Sequence, residues 1–431
     1  MDDEGHRYFL EDPERELKMM KDRHLIPLKP HLYNDFPCPE CGAPTPEAMM
    51  PMVLGKQTAA EYKCGNCGLA FVRDLPAGFA IDLPIAWRLS DKKPYHPANG
   101  VAEDWAAYPD YQLPRTDQYN VQRKVFKEYK RIIILNTIDH LYGHVLLKLF
   151  NAQHYLDEHP DIGLVVIVPK MFEWLVPEGV AESWVFDIKL KEAWGWNAGI
   201  DDFVKEQWYR YEEIWLAPGY SHPEFSKIDI GRFSKVRPFP LEEYGIRPPR
   251  ITFVARRDRL WYASPFTKLM HRALKKIGLF ADFTVAAQDR MIAKTMARIR
   301  RSLPDARFSV VGLGKPARMP HGVEDLRTLR MDVETELQWC RAYAESQVTV
   351  GVHGSNMLLP TAHAAGCVEI LPHDRYGNIV QDISVRYDDR MQLFLYRFTD
   401  EFASPNAIAR HVVSMFKDYE VYRLDNQVNI F

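Results

Sequence analysis

Residues 350–372 read VGVHGSNMLLPTAHAAGCVEILP. Small and β-branched residues run into His353-Gly354-Ser355-Asn356, a helical stretch follows, and a second apolar run carrying Glu369 closes the segment. Apolar runs on both sides of a helix describe strands buried on both faces, which is the pattern of a parallel sheet. Ligands of such sheets bind at the carboxyl ends of the strands, and this strand ends on His353. Gly354 lets backbone come close to a ligand, and Ser355 or Asn356 suits the cap of the next helix. Unsatisfied N–H groups and the helix dipole would then favour an anion such as a diphosphate. A well-capped turn with a satisfied histidine accounts for the same residues.

The same alternation extends in both directions. RIIILN (131–136) is a strand followed by a helix through HVLLKLFNAQHYLDEH. Then come GLVVIVP (163–169), a helix near 170–176, SWVFDI (183–188), a helix around 200–211, and EIWLAP (213–218). Prolines and glycines at 237–249 mark a boundary. Beyond it RITFVAR (250–256), helices at 264–277 and 288–302, RFSVVGLG (307–314), and a helix at 333–346 lead into the opening motif. Two βα series predict an α/β protein with two Rossmann-like domains, over 124–245 and 246–400. A helix at 405–419 would lie within a C-terminal tail, 401–431.

Upstream, residues 1–30 read as helical and charged, and 74–116, rich in proline and aromatics, as an irregular linker. Between them are CPEC (38–41) and CGNC (64–67), 22 residues apart. Two CxxC knuckles at this spacing predict a zinc ribbon over about 31–73, within an N-terminal region of 1–123. Cys38, Cys41, Cys64 and Cys67 would close a tetrahedral shell around a structural Zn²⁺ with no open position. Gly42 and Gly68 follow the pairs, where the knuckle turn needs a permissive residue.

At 431 residues the chain can fill several cores, and a net charge of -3 gives no pull toward nucleic acid or an anionic membrane. Its acidic start, MDDEGHRYFL, lacks the basic and apolar regions of a signal peptide. Its apolar runs fall short of the roughly 20 residues of a spanning helix. The expectation is a cytoplasmic protein, with any attachment to the inner membrane face peripheral. The ribbon could also recruit a protein partner.

The segment TELQWCRAYAESQVTVGVHGSNMLLPTAHAAGCVEILP resembles the signature of glycosyltransferase family 61, with its HGAG-type turn. NTIDHLYGHVLLKLFNAQHYL (136–156) resembles the family's histidine-bearing segment, and RITFVARRDRLW its arginine-bearing strand and loop. The three blocks stand in the family's order across residues 125–390. The resemblance implies a GT-B-like fold, two Rossmann-like domains facing each other across a cleft. It also implies inverting, metal-independent transfer from a nucleotide sugar to a glycan, glycolipid or small-molecule acceptor. A UDP-sugar is the favoured donor, and bacterial polysaccharide or glycolipid assembly the expected setting.

Carried over by residue, Arg256 and Arg259 would neutralise the donor diphosphate, because an arginine fork suits phosphate oxygens. His353, Gly354, Ser355 and Asn356 would hold the nucleotide or sugar, and Glu369 the ribose hydroxyls. His144 would be the acceptor-side base, since an imidazole titrates in the useful range. Two departures stand out. The turn is HGSN rather than HGAG, and Lys148 replaces an aspartate.

Other readings use other residues. A GxG after a strand in VVGLGKPARM (310–319) would suit an NAD- or S-adenosylmethionine-dependent enzyme. A body recruited through its ribbon could bind nucleotide sugars without catalysis. The basic stretch 289–301 reads as a solvated helix face.

Overall fold

The computed structural model describes residues 24–81, 84–95, 118–220, 223–276, 282–316, 319–379, 383–384, 386 and 389–426. The helix expected over 1–30 lies outside them up to residue 23. Ile26–Lys29, however, form a strand, β1. Its alternating burial suits an edge strand better than a helix.

Next comes an antiparallel sheet of β2 (Glu47–Val53), β3 (Thr58–Lys63), β4 (Ala70–Asp74), β5 (Ala86–Arg88) and β6 (Pro94–Tyr95). The ribbon sheet thus runs past its expected end at 73 and takes up part of the supposed linker. Phe36, Tyr62 and Phe71 form its aromatic heart, with Phe36 edge-on to Tyr62 at 4.8 Å and Tyr62 stacked on Phe71 at 5.6 Å. All three belong to the same buried cluster as Ile132, Ile134, Val165 and Ile167, so the ribbon and the next sheet share one core.

That sheet contains β7 (Val121–Val125), β8 (Arg131–Asn136), β9 (Gly163–Pro169), β10 (Glu182–Phe186) and β11 (Glu213–Leu216). Its order is β1-β11-β8-β9-β10-β7, parallel through the centre, with β1 and β7 antiparallel at the edges. Every residue of β9 and β10 is buried, as a strand covered on both faces requires. The strand order reverses between β8 and β11. The stretch expected to be helical at 170–176 is a 3-10 helix, Lys170–Leu175.

Backbone contacts divide the chain into Met1–Pro223 and Glu224–Phe431. The second unit holds β12 (Arg250–Val254), β13 (Arg307–Val311), β14 (Val323–Asp325), β15 (Val348–Val352), β16 (Gly366–Leu371) and β17 (Tyr396–Asp400). They form one wholly parallel sheet in the order β14-β13-β12-β15-β16-β17, so here the order reverses between β12 and β15. Phe239, Leu241 and Tyr244, from the segment read as a boundary, are buried in this unit's core. The helix Asp282–Ser302 turns Met291, Ile292, Met296 and Ile299 into that core, which leaves the basic residues of 289–301 its outer face. The chain is therefore α/β, with two Rossmann-like units and a small four-cysteine module near the N-terminus. No helix among the described residues is long and apolar enough to cross a membrane.

The GxG after β13 has a packing explanation. Gly312 sits at φ +121°, and a Cβ there would come within 2.0 Å of the Ala255 carbonyl oxygen, so the ends of β12 and β13 could not stay this close. Gly312→Ala should cost more than about 2 kcal/mol in urea unfolding, because strain and backbone overlap act together. Gly377→Ala, where nothing lies within 4 Å of the new methyl group, should stay near wild type.

Candidate functional site

In the second unit, β12 and β15 are neighbours whose onward connections leave in opposite directions. Crevices at such reversals, beyond the carboxyl ends of the strands, are where open α/β sheets bind ligands. Two loops meet there. Residues 255–262 follow β12, and His353-Gly354 follows β15.

The first loop is held in place by Gln288. Its amide donates to the Arg256 carbonyl at 3.0 Å and accepts the Trp261 N–H at 2.9 Å. Arg259 Nη1 donates to the His353 carbonyl at 2.7 Å, and Arg256 Nη1 donates to Asn356 Oδ1. Both guanidinium groups stand directly over Gly354. A Cβ at that residue would lie 2.6 Å from Arg256 Nη1 and 2.7 Å from Arg259 Nη1, at φ +146°. The glycine is what lets the arginines reach the turn.

Arg256 also pairs with Asp258, its Nε 2.9 Å from Oδ1. Burial, and then the like charges of Arg256 and Arg375, hold the Arg259 guanidinium below its usual value, with Asp258 and Asp374 opposing. Arg375, just beyond β16, is thus a third cation of the site, missed in the sequence because a DR pair after a strand end looks like an exposed ion pair. Asn356 Nδ2 is buried without a hydrogen-bond partner, so it offers a donor that a ligand oxygen would satisfy.

Two expectations change. Neither Ser355 nor Asn356 caps a helix. A 3-10 turn, Ser355–Met357, starts from Gly354, and the six-residue helix Leu358–His363 starts from Met357, both without a side-chain cap. Glu369 does not turn to a ribose position. It is fully buried within β16, and its Oε2 accepts the His353 Nδ1 proton. His353, also fully buried, is thereby fixed in ring orientation and tautomer.

His144 lies in the first unit, beyond β8, on the helix Tyr142–Phe150. Its Nδ1 is 3.3 Å from Asp139 Oδ1. The other Asp139 oxygen accepts from Lys148 Nζ at 2.9 Å, and the Leu141 N–H closes a turn onto Oδ1 at 3.1 Å. Burial pushes the Asp139 carboxyl up, but the Lys148 ammonium and the His140 and His144 rings outweigh it and hold it well below the usual carboxylate range. Asp139 was not foreseen as a site residue. Its signal is an acid three residues after the end of β8 and five ahead of the histidine. Lys148, which stands where the resemblance has an aspartate, holds the Asp139 carboxylate instead.

The four cysteines come together as their spacing predicts. Their sulfurs all lie within 4.8 Å of one another, and Cys38–Cys67 and Cys41–Cys64 approach to 3.8 and 3.6 Å. Each knuckle is closed by a glycine N–H on the carbonyl of its first cysteine, Gly42 on Cys38 and Gly68 on Cys64, both at 2.9 Å. The glycines sit at φ +72° and +74°, as such turns need. Four thiolates in this arrangement fit a tetrahedral Zn²⁺.

No protein-family model and no curated protein matches the chain. Among solved structures it is similar to the E. coli ADP-heptose LPS heptosyltransferase II, at 9% identity over 67% of this chain and 99% of that one, TM-score 0.36. An enzyme from Listeria monocytogenes described as a UDP-N-acetylglucosamine 2-epimerase shares 8% identity over 69% and 91%, TM-score 0.36. The E. coli heptosyltransferase WaaC, solved with ADP, shares 12% over 68% and 98%, TM-score 0.30. Likenesses this distant carry no argument about fold or function.

Because the cysteine module shares its core with the first unit, metal removal should unfold more than the knuckles. The chain should hold one zinc by elemental analysis. A strong chelator, or Cys41→Ser, should lower the melting temperature by several degrees and broaden the transition.

Proposed function

We propose that the chain is a glycosyltransferase that moves a sugar from a nucleotide sugar to a glycan, glycolipid or small-molecule acceptor, with inversion and without a catalytic metal. One observation carries this reading. Arg256 and Arg259 converge over Gly354 where the strand order of the second unit reverses, beside the unpartnered donor on Asn356. Asp258 already answers part of their charge, and the two forks over the turn suit a diphosphate in both charge and geometry. The resemblance to glycosyltransferase family 61, on blocks that contain these same residues, supports it. A UDP-sugar is the first donor to try, and a GT-B arrangement with cytoplasmic glycan assembly belongs to the same reading.

In this mechanism His144 takes the proton of the acceptor hydroxyl on Nε2. Its Nδ1–H is held by Asp139, which stabilises the imidazolium that forms. The acceptor oxygen bonds to the anomeric carbon as the bond from that carbon to the donor phosphate breaks. The electron pair leaves on the nucleoside diphosphate, whose growing charge Arg256 and Arg259 stabilise. Glu369 acts through His353, holding the turn that brings Gly354 under the arginines.

Transfer or slow hydrolysis of a nucleotide sugar tests this directly. His144→Ala should lower kcat by roughly 10²–10⁴-fold, the ordinary range for a lost general base. Asp139→Asn should lower kcat while KM for the donor stays put. Arg256→Ala should instead raise the donor KM at least tenfold. Turnover untouched by His144→Ala and Arg256→Ala together would rule the mechanism out.

A further inference from the structure

The helix Pro265–Lys276 follows the loop that bears Arg256 and Arg259, and it is anchored to the second unit by one side only. Its start is fixed locally, with Pro265 at the first helical position. Ser264 Oγ accepts the Thr267 N–H at 3.3 Å, and Thr267 Oγ1 accepts the Ser264 N–H at 3.1 Å, a reciprocal cap. Of its twelve residues His271 alone is buried, with Nδ1 2.8 Å from Thr284 Oγ1 and its ring 5.8 Å from that of Tyr262. Lys268, one turn earlier on that side, pairs with Glu401.

The outward side is apolar. Phe266 and Leu269 are 68% and 65% exposed, and with exposed Ala273 they recur at three and four residues, so they share a face. A single exposed apolar side chain is ordinary, whereas a row of them held in water marks a contact surface. Arg272 and Lys276, three and seven residues past Leu269, run along the flank of this face, and Lys275 is exposed beside them. The helix contains no acidic residue, and among the described residues no carboxylate pairs with these three cations. What covers the face must therefore be apolar inside and negatively charged at its edge. The boundary between the headgroups and acyl chains of an anionic membrane is both. A protein surface fits less well, because protein interfaces are depleted of lysine. The whole chain carries a net charge of -3, so the attraction belongs to this helix and not to the overall charge.

We propose that the helix Pro265–Lys276 lies on an anionic membrane surface. Phe266 and Leu269 enter the acyl boundary, while Arg272, Lys275 and Lys276 meet lipid phosphates. Because the helix continues from the arginine loop, attachment holds the second unit at the lipid surface. That the membrane also carries the acceptor rests on the transferase reading above, whereas the binding itself does not.

Co-sedimentation of the full, zinc-loaded chain with vesicles tests the proposal. One set is made of phosphatidylglycerol and phosphatidylcholine in equal parts, the other of phosphatidylcholine alone. The anionic set should bind at least tenfold more tightly, and added salt should weaken that binding. Phe266→Ser with Leu269→Ser, and separately Arg272→Glu with Lys276→Glu, should each weaken it tenfold or more. All four positions are exposed, so the melting temperature should hardly move. The serine pair leaves the charge unchanged, so its effect separates insertion from attraction. Equal binding to both sets, binding to neither, or binding indifferent to the serine pair would overturn the proposal. Self-association that the serine pair abolishes, without vesicle binding, would assign the face to a second copy of the chain instead. The vesicles carry no nucleotide sugar, so a failure of the donor reading would leave this result unchanged and would be visible separately.

Discussion

Gly354 and the two guanidinium groups above it are the constraint on which the candidate donor site depends. The arginines belong to the loop after β12 and the glycine to the turn after β15, which are separated by almost a hundred residues. They meet because the sheet places those two strands side by side and sends their connections apart. Any side chain at 354 would displace both arginines. Gln288 fixes the loop from one side, and the His353–Glu369 pair fixes the turn from the other. The buried pair thus makes sense as support for the turn rather than as reacting groups.

The first unit repeats the design with different chemistry. Its sheet also reverses order, between β8 and β11, and again the polar residues gather beyond the central strand. Here the second partner is the ribbon. By docking its hairpin between Asn136 and Asn197, the ribbon becomes one wall of the His144 neighbourhood. The four-cysteine cluster thereby bears on the placing of that hairpin, since the ribbon and the sheet share one core.

Much of this was legible in the sequence because it is local. The CxxC pairs declare themselves by spacing, and RIIILN, GLVVIVP and RITFVAR by unbroken apolar runs that only a two-sided core accommodates. What was not legible depends on partners far along the chain. β1 is a four-residue edge strand whose pairing comes from β11, and β17 has a mixed pattern that becomes a strand only beside β16. Ser355 and Asn356 look like helix caps by type, yet Asn356 is taken by Arg256 from another loop. Glu369 looks like a ligand-facing acid at a strand end, but the register of β16 turns it onto His353. Asp139 escaped notice because its role depends on Lys148, a residue that read only as a loss of charge.

Calorimetric titration of the intact chain with UDP, GDP, CDP, dTDP and ADP tests the central claim most directly, with Arg256→Ala and Gly354→Ala alongside. The account predicts that at least one nucleoside diphosphate binds, and that both substitutions weaken it tenfold or more while the fold is retained. Binding by none of the five, or binding that survives both substitutions unchanged, would contradict it.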